Sequence, residues 1–184
     1  MFLLREPSPD VASRFLEESH HTPVSYDRRG GRGFRVDDSR TTIGSGRPCF
    51  VSAVRALRAW RHLEFDWVRV VGGDTDAAVG TTVAVAVRHL GFWSLNGARV
   101  VSVSGSEADD EFAFAYRTLT NHAECGEERF RLQWDRESDR VTYDIHAISR
   151  PRAPLAWLGY PIVRILQARF RRDSARALER AISI

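Results

Sequence analysis

Apolar residues recur along this chain with two different periods, and the change from one to the other organises it. From about residue 80, short runs alternate apolar and polar residues, the signature of half-buried strands. After Ser149-Arg150-Pro151 the spacing becomes that of one long amphipathic helix running to the C-terminus. The predicted strands are Phe65 to Val71, Thr81 to His89, Ala98 to Ser104, Glu111 to Thr118, Glu127 to Trp134 and Val141 to Ser149. With Phe34 to Ile43 the count is about seven. The connections are short, so neighbours should pair antiparallel. Asn96-Gly97 carries a hairpin turn signal, and Asp109-Asp110 and the stretch Asp135 to Asp139 read as polar connectors.

Ahead of these strands, Ser8-Pro9-Asp10 predicts a short helix to about Ser19, with Ser8 as N-cap and Pro9 at the first helical position. A loop rich in Gly and Arg follows, Arg28 to Gly33. Gly44-Ser45-Gly46 should turn the chain, and Pro48 should open a second helix ending near His62. Its apolar positions Phe50, Val54, Leu57 and Trp60 have helical spacing.

Strand alternation selects an inner face. Val83, Val85 and Val87 share it, as do Phe112, Phe114 and Tyr116. Phe130, Leu132 and Trp134 form a further row, and Val141, Tyr143, Ile145 and Ala147 another. The final helix should bury Leu155, Leu158, Ile162, Ile165, Leu166, Phe170, Leu178 and Ile182, and turn Arg164, Arg171, Arg172 and Arg180 outward. Pro161 should kink or restart it, because proline donates no backbone hydrogen bond. The pattern predicts an α+β protein of helix-grip architecture, a curved antiparallel sheet wrapped around a long C-terminal helix, as a single domain over residues 1–184.

Composition narrows the chemistry. The chain has 184 residues, is 43% hydrophobic, and carries a net charge of only +3, a weak signal for a nucleic-acid partner. All 27 basic residues are Arg, so there is no lysine for a Schiff base, a pyridoxal phosphate aldimine or a P-loop. No cofactor is expected. Cys49 and Cys125 are too few for a disulfide framework or a four-ligand zinc site, and read as free thiols in a reducing compartment. The N-terminus has too few apolar residues for a signal peptide. No apolar run reaches the ~18 residues of a membrane span. These features predict a soluble cytoplasmic protein.

The run Tyr116-Arg117-Thr118-Leu119-Thr120-Asn121-His122-Ala123-Glu124-Cys125-Gly126-Glu127-Glu128-Arg129-Phe130 resembles the hallmark of a domain-of-unknown-function family of plants and actinobacteria. That hallmark is an aromatic residue, a Thr-Leu-Pro turn, a His, then Gly-Glu-Glu before a strand. Thr120 stands here in place of the usual Pro. The Ser149-Arg150-Pro151 end, Leu158 to Pro161, and the Gly-x-Gly, helix, Trp60 segment match as well. The resemblance implies membership of the START and polyketide-cyclase (SRPBCC) superfamily, and hence the helix-grip fold. It implies no particular reaction.

Among polar residues, His122, Glu127 and Glu128 stand out. Glu128 shares its alternation with Phe130, Leu132 and Trp134, so it should face inward, where an apolar cavity would raise its pKa. The competing reading is a rim residue paired with an Arg. His122-Ala123-Glu124-Cys125 has the His-x-Glu of a zinc deaminase without the Pro-Cys-x-x-Cys partner, which excludes that chemistry. His20-His21 lacks a third metal ligand. Gly44-Ser45-Gly46 is a tight turn rather than a phosphate loop, because Cys49 occupies the third glycine position. Ser102, Ser104 and Ser149 lack a nucleophile elbow. The Arg clusters at Arg28, Arg29, Arg32 and Arg35 and at Arg169, Arg171 and Arg172 read as solvated faces rather than nucleic-acid or membrane surfaces.

The sequence therefore predicts binding of an apolar or amphipathic small molecule between sheet and C-terminal helix, lined by Trp93, Phe114, Tyr116, His122, Glu128, Trp134, Tyr143 and Phe170. One alternative is an enzyme of cyclase or hydratase type, with Glu128, His122 and Tyr116 as acid–base groups. Another is an interaction module using the Arg-rich helix face. Whether the aromatic rows fill a solid core or line an open pocket is not legible at this level.

Overall fold

The computed structural model describes residues 1–26, 33–89, 91–152 and 160–183, and for residues 160–163 the backbone only. Two-residue β1 (Phe2–Leu3) precedes α1 (Pro9–His20), β2 (Arg35–Ser45), α2 (Gly46–Arg58) and a 3₁₀ turn (Arg61–Leu63). Then come β3 (Val68–Val71), β4 (Thr82–Arg88), β5 (Trp93–Gly105), β6 (Glu111–Thr118), β7 (Glu124–Asp135), β8 (Arg140–Pro151) and α3 (Tyr160–Ile182). Seven strands form one sheet in the order β2-β8-β7-β6-β5-β4-β3, and β1 adds to β5 beside the path. Every pairing is antiparallel. The curved antiparallel sheet with its C-terminal helix is the helix-grip architecture predicted.

Local chemistry explains the element ends. Ser8 caps α1 by accepting from the Val11 amide at 3.4 Å. β2 runs into α2 with no free turn between them, and the Gly46 amide is already taken by the Asp139 carbonyl at 2.9 Å. α2 stops at Arg58, earlier than its apolar spacing predicts, and Trp60 adopts a left-handed conformation (φ 61°). That twist puts the Trp60 ring in the core with its Nε1 donating to the Thr75 carbonyl at 3.0 Å.

Asn96-Gly97 is not a turn. Both residues lie within β5, paired with Val85 and Ala84 of β4, and the strand starts at Trp93 instead of Ala98. The Asn96 amide is buried and donates to Ser94 Oγ at 2.8 Å, so its polarity is consumed inside the sheet. Gly97 is required by crowding: a Cβ there would meet Asn121 Oδ1 at 2.5 Å and Ser19 Oγ at 3.0 Å. The β4–β5 connection instead contains Gly91 in the left-handed region (φ 96°).

The concave face is filled at one end only. There α2 contributes Phe50, Ala53, Val54 and Leu57, packed with Trp60 just beyond it and with Phe112, Phe114, Phe130, Leu132 and Tyr143 of the sheet. The C-terminal half of α3 closes this core with Ala175 and Leu178. Trp93 belongs to a second, smaller core on the outer face, with Phe15 of α1, Ala84, Ala86 and Leu95.

The helix phase corrects two expectations. Leu166, Phe170, Ser174 and Leu178 point inward, whereas Ile165 is 68% exposed. Residues 165 and 166 are about 100° apart around a helix, and it is Leu166, in line with Phe170 and Ser174, that faces the sheet. Arg164 and Arg171, expected outward, turn toward Asp37 of β2. Leu155, Leu158 and Ile162 lie outside the described residues or side chains.

Two mutations test this packing. Leu178→Ala should lower unfolding free energy by about 2–5 kcal/mol, the usual cost of a core Leu. Ile165→Ala should change it by less than about 0.5 kcal/mol. Denaturant unfolding measures both, and similar losses would contradict the helix phase.

Candidate functional site

Beyond the aromatic core, the other end of the concave face is open. The cavity there measures about 730 Å³ and lies between the sheet and the N-terminal half of α3. Val85, Val87, Trp67, Leu166 and Phe170 give it an apolar wall. Phe2, Leu3 and Leu4 of the N-terminal arm border it as well, and Phe2 packs edge-on against Phe92 at 5.8 Å. The arm is held by β1–β5 pairing and by the Met1 ammonium donating to the Leu95 carbonyl at 2.9 Å.

Polar groups gather along one side. Glu128 of β7 stands opposite Tyr116 of β6 in the ladder, and the Tyr116 hydroxyl donates a short hydrogen bond to Glu128 Oε2. Burial raises the Glu128 pKa to about 7; the Tyr116 hydrogen bond opposes this, and the Glu124 charge adds to it. Tyr116 is itself pushed upward by burial and then by the Glu128 charge. Glu124 is raised by burial, against hydrogen bonds from Gln167 Nε2 (3.0 Å) and from Ser149.

His122 also lines the cavity, in the loop between β6 and β7. Its Nδ1 accepts the Glu124 amide at 2.9 Å. Burial, and then the nearby Met1 ammonium, lower its pKa to about 3, so the ring is neutral at ordinary pH. At the α3 side, Arg164 grips Asp37 through both terminal nitrogens and holds that carboxyl below the usual aspartate range. Arg171 approaches the same Asp37 at 3.7 Å.

Of the eight residues predicted to line a pocket, the structure brings Tyr116, His122, Glu128 and Phe170 to this cavity. Phe114 sits in the filled core, 5.3 Å from Trp60. Tyr143 stacks on Phe130 in the same core, its hydroxyl 2.9 Å from Ser174 Oγ. Trp134 lies at the far end of its strand, donating to Asp139. Trp93 is on the outer sheet face. Glu127 also borders the cavity, with its carboxylate paired to Arg117 at 2.7 Å.

Several lining residues have no counterpart among those predictions. Glu124 shares the two-residue period of Glu128 and Phe130, a signal hidden by starting the strand at Glu127. Asn96 was hidden in the same way by the apparent turn. Gln167 and Arg171 become visible only once the helix phase is set by Leu166 and Phe170. His62, read as a helix end, is fully buried against Phe130 at 4.5 Å, and neither ring nitrogen has a partner. No group of three or more metal-binding side chains occurs among the described residues, and no helix there is long and apolar enough to cross a membrane. Cys49 and Cys125 are free thiols.

The family described as Domain of unknown function (DUF1990) matches residues 18–177. The chain belongs to this family. A UPF0548 protein of Dictyostelium discoideum is 31% identical over 207 residues, covering 99% of this chain and 96% of that one. A UPF0548 protein of Deinococcus radiodurans is 34% identical over 199 residues, covering 98% of each. The family therefore reaches beyond plants and actinobacteria. Among solved structures, the Zhui aromatase/cyclase from Streptomyces sp. R1128 is similar in fold, with a TM-score of 0.55 and 11% identity over 82% of this chain and 94% of that one. At that identity the likeness concerns the fold alone.

Glu128 provides a test of the site electrostatics. A carboxyl raised from 4.5 to about 7 binds its proton more tightly in the folded state. The stability it contributes is complete below about pH 4.5 and is lost as the pH rises to about 7, a change on the order of 3 kcal/mol. Glu128→Gln should therefore stabilise the protein relative to the parent at pH 8 and change little at pH 5. Subtracting the two pH–stability curves isolates Glu128, because the buried histidines contribute equally to both. A flat difference curve would contradict the raised pKa.

Proposed function

We propose that this protein binds an apolar or amphipathic small molecule in the cavity between the sheet and α3. The observation that carries this reading is the half-filled concave face. One end is packed with aromatic rings, while the other holds about 730 Å³ with a mostly aliphatic and aromatic wall and polar groups on one side. That volume lies within the roughly 300–1,000 Å³ usual for small-molecule sites, and the lining matches their composition. Fold likeness to an aromatase/cyclase is analogy and adds no ligand. The free thiols suit a reducing, cytoplasmic setting.

A second reading keeps the same cavity and adds chemistry. Glu128, titrating near 7 and hydrogen-bonded to Tyr116, has the pKa of an acid–base group at neutral pH. In a cyclase- or hydratase-type reaction it would move the proton while Tyr116 orients it. The third reading, docking through an Arg-rich face of α3, loses Arg164, which grips Asp37, and Arg171, which lines the cavity.

Filling the cavity tests the binding function. Ala147 lies on the cavity wall, so Ala147→Trp places an indole in the space. An environment-sensitive hydrophobic dye should bind the parent one to one, and the variant at least about tenfold more weakly with its fold intact by circular dichroism. Equal binding by both would place the dye elsewhere and overturn the proposal.

A further inference from the structure

The cavity wall holds polar groups whose hydrogen-bonding capacity the protein does not use. His122 is the clearest case. Its Nδ1 is committed as acceptor to the Glu124 amide, so in the neutral ring the hydrogen resides on Nε2. That Nε2–H meets no acceptor among the described residues, on a side chain that lines the cavity. Arg171 is the second. Its side chain is only 16% exposed and lines the same cavity, yet it makes no hydrogen bond to the described residues. Its ion pair to Asp37, at 3.7 Å, is long, and Asp37 is already gripped by Arg164. Glu128 is the third: Oε2 takes the Tyr116 hydrogen bond, and Oε1 has no partner among the described residues.

These atoms open onto the cavity, where water or a bound molecule meets their hydrogen bonds, and a ligand that matches them replaces that water without loss. Two of these three groups, a guanidinium and an imidazole N–H, can only donate here. The third is a carboxyl that donates when it keeps its proton. The inventory calls for an acceptor-rich, negatively charged head group, and the apolar wall of Val85, Val87, Trp67 and Phe170 calls for a hydrocarbon body. Resting on the binding function proposed above, we infer that the occupant is an amphipathic carboxylate whose head group accepts hydrogen bonds from His122 Nε2 and the Arg171 guanidinium, beside Glu128.

The site has a built-in pH response. Glu128 is faced by Tyr116 from β6, Tyr143 from β8, Asp37 from β2, Arg171 from α3 and Glu124 on its own strand; Arg164 acts on Asp37 and Glu124, and the Met1 ammonium on His122. A carboxylate ligand repels ionised Glu128 and accepts from protonated Glu128. Since Glu128 titrates near 7, affinity for a carboxylate should fall as the pH rises through neutrality. His122, neutral down to about pH 3, keeps its donor throughout that range. An ammonium ligand would respond in the opposite sense, gaining affinity as Glu128 ionises.

The probes are dodecanoate, dodecanol and dodecylamine, titrated calorimetrically below their aggregation concentrations at pH 6 and pH 8. Dodecanoate should bind tightest at pH 6 and about tenfold more weakly at pH 8, the change expected when only protonated Glu128 accepts it. Glu128→Gln should remove that pH dependence. Arg171→Gln should weaken dodecanoate by about tenfold or more, the worth of a charged hydrogen bond, and weaken dodecanol, a neutral acceptor, much less. Circular dichroism reports whether the variant keeps its fold, and if Arg171→Gln does not fold, the ligand series and pH profile decide alone. Dodecylamine or dodecanol binding as tightly as dodecanoate at pH 6, or a dodecanoate affinity that does not fall with pH, overturns the carboxylate assignment. Failure of all three to bind overturns the cavity function itself.

Discussion

A seven-stranded antiparallel sheet, curved by its own twist, has more concave apolar surface than one helix can cover. Everything else in this protein follows from how that surface is divided. α2 and the C-terminal half of α3 take one end, where Phe50, Leu57, Leu132 and Leu178 are fully buried. The N-terminal half of α3 spans the other end without filling it. Interior packing elsewhere tolerates few voids larger than a water molecule. A cavity of about 730 Å³ is therefore a built feature of the fold, set by where α2 stops and how α3 is phased.

The open end also has an electrostatic logic. Glu128 and Glu124 sit on inward positions of β7, where a solid core would hold apolar residues. Burial raises both carboxyls, and their charges oppose each other, so the wall stores unfavourable ionisation that a ligand or a proton relieves. Asp37 behaves differently because Arg164 compensates it in place. One pair is structural, tying β2 to α3. Glu128, the His122 N–H and Arg171 instead border the cavity.

Much of the architecture was legible in the sequence. Strand alternation identified seven strands and the inward rows of Phe112, Phe130 and Tyr143, because one side chain in two must meet the core. The inward direction of Glu128 came from the same period. What failed did so for local reasons. Asn96-Gly97 has the composition of a turn, and only the neighbouring Asn121 and Ser19 explain why a glycine sits mid-strand. Ile165 and Leu166 are both apolar, so composition could not choose the helix phase. Trp93 and Tyr143 are both aromatic, but one packs on the outer face and the other in the filled core. No periodicity separates a ring that lines a cavity from one that plugs it.

A cavity built to bind a small molecule should be occupied in the cell. Native mass spectrometry of the protein purified from its own host reads that occupancy. A mass increment of one small molecule per chain is expected, released on denaturation and missing from an Ala147→Trp variant prepared in the same way. A bare chain mass for both proteins, with no molecule released from either, would contradict it.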